Sequence, residues 1–271
     1  MWDSTPAGLF LGGAPLNVAM HLRQLGVSVS LVSAVGDDRL GYELRRRLTV
    51  AGVNLSLLGV NTRFETGFVV AELEDSGNAS YTIFEGVAWD HLPIVPMPPP
   101  PSPAALVYSS LVMRTSHGLS RLSSWLQSAP KATRIFDINL RAPHYSDSII
   151  QAQMRQAHWI KANYEEASAV TGTVNCTAEA LARTLMTQCD ASLIILTCDA
   201  KGAGVLAGEH WYWESAPKAK VVDTIGAGDA FLATFVASVL IKKHNISTSL
   251  SIAIQRASRV VEHSGAVPIL C

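Results

Sequence analysis

Short β-branched runs that pass through a polar or glycine-bearing turn into a segment of helical period recur along this chain. No other feature constrains its fold as tightly. Val27–Val35 alternates and leads through Gly36-Asp37-Asp38 into a stretch with Leu40, Leu44 and Leu48 on one helical face. Leu106-Val107-Tyr108, Arg134–Arg141, Trp159–Ala162 and Leu193–Leu196 are further strand-like runs that end at polar residues. Strands joined by helices through short connections form parallel pairs with right-handed crossovers. The predicted fold is α/β, a mostly parallel sheet flanked by helices on both faces. Open sheets of this kind bind ligands beyond the C-terminal ends of their strands, so the polar strand ends are where chemistry is expected.

The most specific turn is Asp223-Thr224-Ile225-Gly226-Ala227-Gly228-Asp229-Ala230-Phe231, which follows Val221-Val222 and opens an apolar helical segment, Ala230 to Ile241. Glycines at a helix start let backbone N–H groups converge without Cβ obstruction. Those groups lack intrahelical partners, and the helix dipole adds to their pull on an anion. Asp229 in the first turn is either a favourable helix-start acid or a general base beside an oxyanion hole, taking a proton from a hydroxyl that attacks phosphorus.

Composition narrows the classes. A length of 271 residues, 48% hydrophobic and 16% charged, suits an ordinary globular protein with a sizeable core. A net charge of −1 gives no footprint for nucleic acid or an anionic membrane surface. The four cysteines, Cys176, Cys189, Cys198 and Cys271, show no C-x-x-C spacing, which fits reduced thiols in the cytoplasm better than a disulfide framework or zinc site. Neither a membrane span nor a signal peptide is visible. No G-x-x-x-x-G-K-[ST] loop is present, and no G-x-G-x-x-G with a spaced acid, so a P-loop kinase and a dinucleotide oxidoreductase are disfavoured. Seven of the thirteen prolines fall in Pro93–Pro103, an extended surface connection.

Asp223–Phe231 resembles the C-terminal signature D-T-x-G-A-G-D-x-F of the ribokinase-like (PfkB) carbohydrate kinases, with no departure at a fixed position. Gly12-Gly13-Ala14-Pro15-Leu16-Asn17, with the helical period after it, resembles the N-terminal signature of that family's fructokinase branch. Three more stretches agree in order: Gly36-Asp37-Asp38 to Gly41, Asp137–Ser146, and Asn163 to Glu166. The resemblance covers Asp3 to about Pro268.

It implies an ATP-dependent sugar kinase, fructokinase-like, built as one domain over 1–271 with a small β lid at about 60–86. The lid matches a predicted hairpin, Gly67–Leu73 and Ser80–Glu85 around Asp75-Ser76-Gly77-Asn78. By resemblance Asp229 is the catalytic base, and Gly226, Ala227 and Gly228 with Arg141 stabilise the transferring phosphoryl group. Asp3, Gly12, Gly13, Asn17 and Asn139 bind the sugar. Thr197, Gly202, Thr224, Gly226 and Gly228 face the nucleotide. Asn163 and Glu166 stand at the Mg2+ end of the site, a hard cation suited to oxygen donors, although Asn163 followed by first-turn acids also reads as a helix cap. The sequence leaves the oligomeric state open, with a homodimer as one candidate.

The resemblance also marks departures. Family chains open with a buried strand ending at the aspartate matched by Asp3, so the first strand of the sheet is expected to be missing, its neighbours unpaired. Ser109 and Asp199 stand where the family has glycine. These departures support a second reading, a non-catalytic or impaired ligand-binding protein of the same fold. Within kinases, ribose, 2-keto-3-deoxygluconate and nucleosides stay open as substrates.

Overall fold

A computed structural model of the chain describes residues 1–5, 8–73, 79–92 and 103–270. Contacts divide it into two units: Met1–Val95 with Ala219–Ala237 and Arg259–Cys271, and Pro96–Lys218 with Ser238–Ser258. The proline-rich connection lies, apart from Pro103, outside the described residues, as does the Asp75–Asn78 turn.

In the first unit, β1 (Trp2–Thr5) and β2 (Gly8–Leu11) precede α1 (Ala14–Gln24). Then come β3 (Ser33–Gly36), α2 (Arg39–Val50), β4 (Leu58–Asn61), β5 (Phe68–Leu73) and β6 (Ala79–Ile83). The predicted hairpin is present as β5 and β6, antiparallel, and β1 and β2 complete its sheet in the order β2-β1-β5-β6. Asp3, whose carrying strand is expected to be missing, lies inside β1, opposite Phe10 on one side and Val69 on the other. β3 and β4 form a separate parallel pair.

The run Val27–Val35 yields a shorter strand than its alternation predicts. Pairing before Ser33 is limited to the bridge Ser30–Asn54 and the backbone bonds around it, because the partner stretch is still turning out of α2. That helix begins where Asp38 accepts the Gly41 N–H at 2.7 Å, satisfying one orphan donor of the first turn. Its Leu44 and Leu48 join Trp2, Leu16, Val35 and Leu58 in one core.

The second unit carries β7 (Ala105–Ser109), α3 (Ser116–Ser128), β8 (Thr133–Asp137), α4 (Asp147–Gln156), β9 (Trp159–Asn163), α5 (Tyr164–Thr171) and α6 (Ala178–Thr187). β10 (Leu193–Thr197), β11 (Ala203–Ala207) and β12 (His210–Glu214) follow. One six-stranded sheet results, ordered β12-β11-β10-β9-β8-β7, with β7 to β10 parallel and the last hairpin antiparallel. Phe136, Ile160, Ile194 and Leu196 are buried on it with Met154, Leu181 and Leu185 from the helices. Such strands read as nearly continuous apolar runs because both faces are covered.

The glycine turn feeds α7 (Ala227–Val236) in the first unit; α8 (Ile246–Val260) lies mostly in the second. The predicted helix from Ala230 thus begins three residues earlier and widens to a π turn at Ala237–Ile241.

Candidate active site

In the first unit the site is built on two helix starts. Before α7, the Val222 and Asp223 N–H groups donate to the Val261 carbonyl at 2.7 and 3.2 Å. The Asp223 carboxylate accepts the Ile225 N–H at 2.9 Å within its own turn, and the Gly265 N–H at 3.0 Å from the returning chain. One acid therefore closes the turn and ties it to residues 264–266. Gly226 caps α7 at φ +79°, a conformation costly for any residue with a Cβ. Ala266 lies directly behind it: a Cβ on Gly226 would come within 2.5–2.6 Å of the Ala266 O, Cα and Cβ. Both the backbone angle and the packing require glycine.

The next residues, Ala227, Gly228 and Asp229, form the first turn of α7, where N–H groups have no partner four residues back and the dipole is positive. Asp229 is half-buried at this anion-attracting pole. Its Oδ2 accepts a hydrogen bond from the Asn17 side-chain amide at 2.8 Å. Asn17 is 3% exposed, and its own Oδ1 is buried with no hydrogen-bond partner. A buried amide oxygen left unsatisfied is costly, and it suits a hydroxyl donor arriving as ligand. Upstream, the Asp3 carboxylate lies against the Gly12 α-carbon, and Gly13 caps α1. Thr224 is exposed on the turn, its carbonyl accepting the Ala227 N–H at 3.4 Å.

In the second unit the strand ends carry the polar groups, as expected of an open sheet. Asn163 ends β9, and Thr197 pairs with it across β10. Asn163 and Glu166 form a reciprocal capping box: Asn163 Oδ1 accepts the Glu166 N–H at 2.7 Å, and Glu166 Oε2 accepts the Asn163 N–H at 3.0 Å. The other Glu166 oxygen accepts the Leu140 N–H at 3.1 Å and lies 3.9 Å from the Arg141 guanidinium. Glu166 therefore joins the Asn139–Arg141 loop to the start of α5. Burial pushes its carboxyl above the usual range; Lys161 draws it down and Asp137 pushes it up. Asn139 adopts φ +40°, and its carbonyl accepts the Ser110 hydroxyl at 2.8 Å. Arg141 folds back to donate to the Leu140 carbonyl at 2.7 Å. Gly202, held by the Cys198 N–H on its carbonyl at 2.8 Å, completes the turn after β10.

Magnesium would need oxygen donors and would keep several waters. Glu166 fits: each oxygen spends one lone pair on a backbone N–H, and Asp137 Oδ2 nearby in the network is buried without a partner. Asn163 Oδ1 is committed to the cap but retains a second lone pair.

Each unit gathers its own residues: in the first, Asp3 meets Gly12 and Asn17 meets Asp229; in the second, Asn139, Arg141, Asn163 and Glu166 cluster around the β8 and β9 ends. Sequence reasoning passed over Asp223 as a tie, the buried Lys161–Asp137 pair at 2.8 Å, and His21. His21 stands one helical turn after Asn17, a spacing that places both on one face and that the sequence already displays.

Residues 7–270 match the pfkB family carbohydrate kinase pattern. The chain belongs to that family. This pfkB-family kinase is 27% identical over 250 residues to a fructokinase of Klebsiella pneumoniae, covering 89% of this chain and 80% of the relative. Its fold follows that of Vibrio cholerae fructokinase, solved with fructose, ADP and calcium, at a TM-score of 0.85 and 24% identity over 98% of this chain and 91% of the other. It also follows Salmonella enterica aminoimidazole riboside kinase, solved with aminoimidazole riboside and an ATP analogue, at a TM-score of 0.82 and 20% identity over 98% and 92%. The ribokinase-like α/β fold is therefore established.

Proposed function

We propose that this carbohydrate kinase transfers the γ-phosphoryl group of ATP to a primary hydroxyl of a ketose, fructose being the first candidate. The observation that carries the reading is the Asn17–Asp229 hydrogen bond of 2.8 Å. It ties the acid of an anion-attracting helix start to the asparagine of the sugar-type glycine motif.

Asp229 takes the proton of the hydroxyl as its oxygen attacks the γ-phosphorus. The bond to the ADP oxygen breaks, and the proton then leaves to solvent. Asn17 holds one carboxylate oxygen, which helps to fix the rotamer of the base. Backbone N–H groups at Gly226, Ala227 and Gly228, with Arg141, stabilise charge on the transferring group. Asp3, Gly12, Gly13, Asn17 and Asn139 orient the sugar; Thr197, Gly202 and Thr224 receive the nucleotide. Magnesium, held through Glu166 and Asn163, would supply charge neutralisation on the phosphate oxygens.

In this reading residues 1–271 act as one ribokinase-like domain, with residues 60–86 as a lid that excludes water. The setting is the cytoplasm, in keeping with Cys176, Cys189 and Cys198, which form no disulfide. Among the described residues no helix is long and apolar enough to cross a membrane. The proposal includes a homodimer, which sedimentation velocity would read as twice the 29.0 kDa chain.

The test is magnesium-dependent ADP release with fructose, ribose, 2-keto-3-deoxygluconate or adenosine, beside Asp229→Asn. Fructose-dependent turnover, reduced ~10²–10⁴-fold in the variant with sugar binding retained, is the expected result. No turnover from folded protein with any acceptor refutes the reading.

Asp199 favours the second reading, a fold-retaining binding protein. It holds φ +47° after β10, where the family's glycine would be unstrained, and places a carboxylate beside the proposed nucleotide groups. That reading expects nucleotide or sugar binding by calorimetry without ADP release.

A further inference from the structure

We infer that His21 is a positioning residue for the anion-binding turn: its imidazole fixes residues 264–266 as the backing on which Gly226 rests. The inference deepens the phosphoryl-transfer reading and rests on it for its kinetic consequence, while its structural consequence stands apart.

His21 lies on α1, four residues after Asn17, and is 0% exposed. An apolar side chain at this helix position would bury at no polar cost, whereas an imidazole there needs a hydrogen-bond partner. Its Nε2 lies 3.0 Å from the Ala266 carbonyl. A carbonyl oxygen only accepts, so Nε2 carries the proton and donates.

What the bond holds is more telling than the bond. Residues 264–266 belong to no helix or strand, so no ladder fixes them. From one side the Gly265 N–H is held by Asp223 of the turn at 3.0 Å. From the other the Ala266 carbonyl is held by His21. Between these two ties Ala266, itself 2% exposed, packs on the Gly226 α-carbon so closely that a Cβ there would collide with it. The same face of α1 thus reaches the site twice, through Asn17 to the Asp229 carboxylate and through His21 to the segment behind the turn. Without the His21 donor the Ala266 carbonyl is left buried and unpaired. The segment then shifts toward another donor, and Gly226 loses the surface that fixes the direction of the α7 N–H groups.

The experiment compares wild type, His21→Leu, which keeps bulk without a donor, and His21→Gln, whose amide N–H can reach the carbonyl. Amide hydrogen exchange at residues 223–228 and 264–266 is read first, then kcat and the KM values for sugar and ATP. Expected for His21→Leu is exchange at least tenfold faster at Ile225 and Gly265, whose amides Asp223 holds, against little change in α2. A roughly tenfold lower kcat should accompany it, with the sugar KM within twofold. His21→Gln should recover most of both. A folded His21→Leu protein with unchanged protection at Ile225 and Gly265 overturns the inference. So does exchange that rises evenly through the first unit with kcat unchanged, which marks an ordinary core residue. Should His21→Leu fail to fold, His21→Asn, whose amide falls one methylene short, takes its place with the same expected loss. If wild type shows no turnover, the kinase reading fails and the exchange result alone decides the role of His21.

Discussion

Replacing Gly226 with alanine tests the turn at its most constrained point. At φ +79° an L-residue costs about 1–2 kcal/mol from its own backbone. The added Cβ also meets three Ala266 atoms at 2.5–2.6 Å, two of them backbone, so the strain cannot be relieved by a rotamer change. Overpacking of this kind costs about 1–3 kcal/mol, for a total of about 2–5 kcal/mol. Gly172 supplies the control: it holds φ +69° at the end of α5, with nothing within 4 Å of where an added methyl would sit, so Gly172→Ala carries the backbone cost alone. At ~2–4 °C per kcal/mol for a chain of this size, Gly226→Ala should melt several degrees below Gly172→Ala. Displacing the turn also misdirects its N–H donors, each worth ~10²–10³-fold in transition-state stabilisation. ADP release should fall by about that factor in Gly226→Ala and stay near wild type in Gly172→Ala. Thermal unfolding and ADP release on the same preparations decide the matter. Equal melting shifts for the two variants, or Gly226→Ala turnover within twofold of wild type, would refute the argument that Ala266 backs a catalytic turn.

Three further outcomes follow from named contacts. Asp199→Gly should lower the KM for ATP in the kinetic assay, because it removes a carboxylate and relieves the strain of holding φ +47° on a residue with a Cβ. Burial, then Glu165, pushes the Asp199 carboxyl above 3.8; its folded-state contribution is therefore greatest below that pH and declines as pH rises, a decline that urea melts of the glycine variant should lack. Lys161→Met leaves the Asp137 carboxylate buried without its 2.8 Å ion-pair partner, at a cost of about 3–5 kcal/mol; adding Asp137→Asn should restore part of it in urea unfolding. At Asp38, burial pushes the carboxyl up but hydrogen bonds from Thr66 and Gly41 outweigh it and hold it below 3.8. That stabilisation is present above 3.8 and lost as pH falls through the folded value, so the deficit of Asp38→Asn, about 1–3 kcal/mol at pH 7, should shrink toward pH 3.

Local chemistry was readable from the chain alone. The Asn163–Glu166 cap, the glycine turn before α7 and the β5–β6 hairpin each depend on residues a few positions apart, whose spacing is fixed by helix or strand geometry. The strand Val27–Val35 was over-read because alternation reports which face is apolar, not where a partner strand is straight enough to pair. Asp3 in β1 escaped the reading for a related reason: four residues, Trp2–Thr5, are too few to show a period, and only pairing with β2 and β5 makes them a strand.

The contacts that make the turn a site belong to another class. Asn17 meets Asp229 across 212 positions and His21 meets Ala266 across 245, and no periodicity links residues so far apart. Yet each leaves a local trace, since Asn17 and His21 are polar residues four apart in a helix whose Leu16, Val18, Ala19 and Leu22 are buried. Two buried polar groups on one helix face must each find a partner. In a chain whose turn into α7 offers an acid and whose returning segment offers bare carbonyls, those partners are few. Unpaired polarity inside an apolar period is therefore the sequence signal that points to the distant half of this site, and Lys161, between the apolar Trp159-Ile160 and Ala162 of β9, obeys the same logic with Asp137.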